Sequence, residues 1–159
     1  TYDIFAAHWP HYENTADGEI AKVFNRVTKY VATSSKAPLT WNNSVALNDP
    51  AKDVAHLRKE DGPDLLIQGS SVLIQTLLQH NLIDQFSLLV FPLLLGKGKK
   101  LFGEGTYSTE LELVSSKTSP SGVTMNTYTP SGSVRTGSFA LDSPSEAELA
   151  RREKMRREG

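Results

Sequence analysis

Gly69-Ser70-Ser71 stands between the apolar run "DLLIQ" (64–68) and a helical repeat that takes over at Val72. A strand end, a small-residue turn and a helix N-terminus in that order aim main-chain N–H groups and the positive end of a helix dipole at one point, which suits a phosphate or diphosphate. Gly69 would let such a group approach the backbone, and Ser70 and Ser71 would add hydroxyl donors. Magnitudes limit what this turn does unaided. A helix terminus contributes about 0.3 to 1 kcal/mol, up to about 2, toward a charge, whereas micromolar binding needs about 8 kcal/mol. Other donors are needed, and Thr33, Ser34, Ser35 and Lys36 close a neighbouring predicted strand with groups that suit a second phosphate. The alternative is an ordinary strand-to-helix turn with a serine N-cap, because the full Gly-x-Gly-x-x-Gly pattern is missing.

"LLLGKGKKLFGEG" (93–105) carries two glycines around Lys97, followed by Lys99 and Lys100. It reads either as a flexible basic loop facing an anionic ligand or as a surface turn with solvated lysines; it is not a P-loop, which needs Ser or Thr after the lysine. His8, His11, His56 and His80 are scattered and show no His-x-x-x-His spacing. With no cysteine, a thiolate nucleophile, a disulfide framework and a Cys-type zinc site are all excluded. A reaction whose hard step belongs to a bound cofactor fits a chain without an acid, base or metal signature of its own.

The elements that must position these residues follow from patterning. The 159 residues, 38% of them apolar, suffice for one core, and a formal net charge of −1 gives no electrostatic case for nucleic acid or an anionic membrane as partner. The longest apolar run, 88–95, is far short of the roughly 20 residues of a membrane helix. No leader is visible, so a cytoplasmic location is expected. Tyr2 to Trp9 reads as a short helix stopped by Pro10, and residues upstream of Thr1 are expected in the native protein. Residues 17–27 read as a helix with Asp17 as N-cap and Ile20, Val23, Phe24 and Val27 on one stripe. Strands are predicted at 29–33, 45–47, 64–68 and 86–94, helices at 49–60 and 71–80, and a hairpin at 110–117 and 123–129 around Ser119-Pro120-Ser121-Gly122. Val72, Leu73, Ile74, Leu77 and Leu78 make the second of those helices buried, and Asn81 suits its left-handed C-terminal cap. Such alternation is an α/β pattern. Residues 131–142 form a connector, and 143–159 a charged helix with Ser143, Pro144 and Glu146 as capping box, read as a solvated terminal helix or a docking element.

"TYDIFAAHWP", "KYVATSS", "LTWNNS", the block at 65–102 and "GVTMNTYTP" resemble the dihydrofolate-reductase-like family, in its riboflavin-biosynthesis reductase branch. The resemblance spans residues 1 to about 130 and implies a three-layer α/β fold: a mixed, mostly parallel central sheet, flanking helices and a C-terminal hairpin. It also implies NADPH as hydride donor and a pteridine or ribosylaminopyrimidine-type substrate. By that resemblance Thr1 approaches the cofactor diphosphate, and Thr33 and Ser34 receive the adenosine 2′-phosphate. Gly69, Ser70, Ser71, Val72 and Leu73 carry the diphosphate and nicotinamide side. The family's first strand and helix, with its substrate-facing carboxylate, would precede Thr1. The zinc deaminase often fused to this reductase needs cysteines that this chain does not have. Partners expected are a small-molecule substrate and a second copy in a homodimer; the competing expectation is a catalytically inactive nucleotide-binding or oligomerisation module.

Overall fold

The computed structural model describes residues 1–135, 137 and 143–158. Helix α1 (Tyr2–His8) runs into a 3-10 turn, Trp9–His11, with Pro10 in its first positions, where a missing N–H costs nothing. Helix α2 (Gly18–Arg26) packs Phe24 against Phe5 and Trp9, with ring centroids 5.8 and 4.8 Å apart. The expected stripe of α2 is otherwise turned outward: Ile20, Val23 and Val27 are 53, 47 and 42% exposed, and the buried face carries Gly18, Ala21 and Asn25. Two contacts set that rotation. A Cβ on Gly18 would overlap the Glu13 carbonyl, so only glycine fits there, and Asn25 is drawn inward by hydrogen bonds.

Strands β1 (Lys29–Ala32) and β2 (Ser44–Leu47) pair in parallel, Lys29 opposite Ser44 and Ala32 opposite Leu47. Helix α3 (Pro50–Leu57) starts as expected: the Asp49 carboxylate accepts a hydrogen bond from the Lys52 N–H at 3.2 Å, with Pro50 behind it. Helix α4 (Ser71–Gln79) ends as its sequence predicts. Asn81 adopts φ 52, its N–H donates to the Leu78 carbonyl at 3.1 Å, and the Leu82 N–H donates to Leu77 at 2.9 Å, the paired bonds of a Schellman cap. Its burial is narrower than predicted, since Ile74, Leu77 and Leu78 are buried while Val72 is 80% exposed.

Strands β3 (Phe86–Val90), β4 (Glu110–Thr118) and β5 (Thr124–Gly132) form an antiparallel sheet in the order β3-β5-β4. The hairpin turn closes through Gly122 N–H to the Ser119 carbonyl at 2.9 Å, with Gly122 at φ 81. Ile74, Leu78 and Phe86 form the core of this half, with Ile67, Ile83, Leu88, Leu101, Leu111 and Tyr128 packed against them.

Instead of one mostly parallel central sheet, the described residues form a two-stranded parallel and a three-stranded antiparallel sheet. The segment expected as a further strand, 64–68, takes no regular secondary structure and pairs with no described strand, so it lacks the ladder that would make it one. Leu66 is accordingly 78% exposed. The expected strand 86–94 stops at Val90, two residues before Pro92, which cannot donate to a ladder. Helix α5 (Glu146–Glu158) begins later than predicted. Ser145 caps it rather than Ser143, its Oγ accepting from the Glu148 N–H and its carbonyl from the Leu149 N–H. Most of the second half of the predicted connector lies outside the described residues.

Candidate functional site

The turn ahead of α4 has unusual backbone geometry. Gly69 stands at φ 72 and Ser70 follows at φ 60, ψ 63, so two successive residues are left-handed. Glycine adopts that conformation freely, whereas serine gives up about 1 to 2 kcal/mol. Ser70 is the N-cap residue, yet its hydroxyl makes no capping bond; the first helical bond runs from the Ile74 N–H to the Ser70 carbonyl at 3.0 Å. The amides of Ser71, Val72 and Leu73 are the donors that a helix of this kind leaves over. The simple serine-capped turn is therefore not what forms; a strained, uncapped helix start is. Gly69 and Val72 are exposed, so the turn faces solvent.

A second contact, invisible in the sequence, joins this helix to the glycine- and lysine-rich loop. Gln75, one turn after Ser71, donates from Nε2 to the Leu101 carbonyl at 2.8 Å, while its Oε1 is buried without a partner. Gly96 and Gly98 take φ 68 and 153, and the Lys97 N–H turns back to Leu95 at 2.7 Å. Lys97, Lys99 and Lys100 are exposed. The anchor places both glycine-bearing segments singled out in the sequence on one helix.

After β1, the Thr33 hydroxyl accepts from the Ser35 N–H at 3.0 Å and the Ser35 hydroxyl from the Ala37 N–H at 3.1 Å. Those local turns leave Ser34 and Lys36 exposed. Thr1 is the exposed N-cap residue of α1, its carbonyl bonded to the Phe5 N–H at 3.1 Å and its hydroxyl not capping. Thus Gly69, Ser70, Ser71, Val72 and Leu73 come together in one turn. Thr1 and the Thr33–Ser34 pair are organised separately, each by bonds to its own chain neighbours.

The strongest polar cluster is one that sequence reasoning passes over. Asn25 donates to the Trp9 carbonyl at 3.3 Å and to Glu13 Oε1 at 2.6 Å, and accepts from Trp41 Nε1 at 2.7 Å. Its own carbonyl takes bonds from Asn43 Nδ2 at 3.1 Å and Lys29 Nζ at 3.2 Å. Lys29 also sits 4.4 Å from the Trp41 ring centroid, and burial holds its pKa below the usual lysine value. Tyr2 completes the arrangement, its hydroxyl accepting from the Trp41 N–H at 2.9 Å. The sequence offers only a weak signal here, an asparagine in the last turn of an apolar-faced helix and a Trp-Asn-Asn run 16 residues later.

Two adjoining clefts lie at the other end of α4. One of about 370 Å³ is lined by Leu78, Phe86, Phe102, Tyr107 and Leu111 among others, and one of about 230 Å³ by Leu78, Asn81, Asp84, Thr109 and Pro130. Neither includes a residue of the Gly69–Ser71 turn. Among the described residues no group of three or more His, Asp or Glu is placed to hold a metal ion, and no helix is long and apolar enough to cross a membrane.

Comparison with known proteins gives this geometry a family. Two uncharacterized proteins of Bacillus subtilis strain 168 are similar. YyaP is 29% identical over 130 residues, covering 80% of this chain and 69% of YyaP. YwjB is 33% identical over 91 residues, 57% of this chain and 52% of YwjB. A crystal structure from Shewanella sp. PV-4, named a "putative riboflavin biosynthesis protein", superposes with a TM-score of 0.52 at 28% identity, over 64% of this chain and 58% of that one. The chain thus spans little more than half the length of two of these three relatives. The family description "RibD C-terminal domain" matches residues 3–125. The chain belongs to the RibD C-terminal domain family.

Proposed function

We propose that the chain is a reductase-like domain that binds NADPH and transfers its hydride to a pteridine or ribosylaminopyrimidine-type substrate, within a dihydrofolate-reductase-like three-layer fold. One observation carries the reading: the left-handed Gly69–Ser70 pair at a start of α4 that its N-cap side chain leaves uncapped, with Gly69 and Val72 exposed on either side. The first amides of α4 and the Ser70 and Ser71 hydroxyls fit a diphosphate, and the free Ser34 and Lys36 beside Thr33 fit a further phosphate. Thr1 would reach the diphosphate from the α1 side. Val72 and Leu73 would lie toward the nicotinamide. Family membership ties the domain to a reductase-like role in riboflavin biosynthesis. Bound NADPH supplies the hydride; the chain's part is to hold the dinucleotide, orient it and keep water from it. A cytoplasmic location and a homodimer belong to the same reading.

A second reading, a nucleotide-binding module without turnover, is favoured by one observation: the side chain that ties α4 to the glycine- and lysine-rich loop is the amide of Gln75, not an acid or base. Loss of NADPH absorbance in the presence of a panel of pterins and ribosylaminopyrimidines separates the two. Substrate-dependent oxidation is expected. Binding without oxidation of any member selects the module, and absence of binding overturns both.

A further inference from the structure

We draw no further inference here: the strongest candidate, the unpartnered apolar edge of β3, carries nothing because nothing in the structure shows what covers it.

Discussion

The two halves of the molecule are held by different physics. Around α1, α2 and the β1–β2 pair, directional bonds converge on Asn25 and two tryptophans, beside the buried Ala21, Val31 and Leu47. Around α4 and the β3-β5-β4 sheet the core is Ile74, Leu78 and Phe86, packed against further aliphatic side chains and Tyr128. A polar hub specifies one arrangement but penalises the loss of any partner, since the groups left behind are buried. An aliphatic core loses stability in proportion to the volume removed.

The largest effect is expected from Leu78→Ala, which removes a side chain only 4% exposed. It should cost about 3 kcal/mol, within the 2 to 5 typical of such truncations, measured by urea unfolding. Asn25→Ala should cost about 2 kcal/mol by leaving the Trp41 indole N–H unpaired, and should also change the near-ultraviolet circular dichroism of the tryptophans, which Leu78→Ala should leave largely unchanged. If the halves are independent, the double variant's loss is the sum of the two within about 0.5 kcal/mol; strong coupling would break the comparison. Ser70→Gly should stabilise by about 1 kcal/mol, because glycine takes φ 60 without the serine penalty. A loss of stability there would mean that the backbone is not strained.

The smallest effect belongs to α5. Hydrogen bonds from Arg151 and then Arg152 hold the Glu148 carboxyl down at about 2. A carboxylate whose folded pKa is depressed lends stability that is complete above its unfolded value and fades as pH falls toward the folded one. Helical circular dichroism of α5 should therefore weaken slightly between about pH 4.5 and 2. These two ion pairs lie at the surface, with Glu148 31% and Arg152 34% exposed, so added salt should reduce the change.

What the sequence disclosed depended on the range of the interaction. Local rules read well: Asp49 and Pro50 open α3, Asn81 closes α4, and Ser119 to Gly122 turn the hairpin, each through bonds a few residues long. Long-range pairing did not read. "DLLIQ" has the composition of a buried strand, but a strand exists only with a partner, and no described strand pairs with 64–68. Periodicity also misjudged which side of α2 is buried, since a glycine contact and an asparagine outweighed three aliphatic residues. The N-cap of α5 falls two residues later than expected because Ser143 and Ser145 are both competent caps. At the site, residue types pointed to the Gly69–Ser71 turn, while its left-handed pair and the Gln75 anchor needed coordinates.

In the proposed reductase reading, the Gly69–Ser70 turn receives the diphosphate of NADPH. Fluorescence titration of NADPH against the wild-type chain and Gly69→Val tests it most directly, with far-ultraviolet circular dichroism confirming that the variant is folded. A Cβ at 69 meets no atom within 4 Å but must adopt φ 72, which L side chains resist. Saturable binding by the wild-type chain and at least about a tenfold loss, roughly 1.4 kcal/mol, in the folded variant are expected. Equal NADPH affinity in both would remove this turn from the cofactor site.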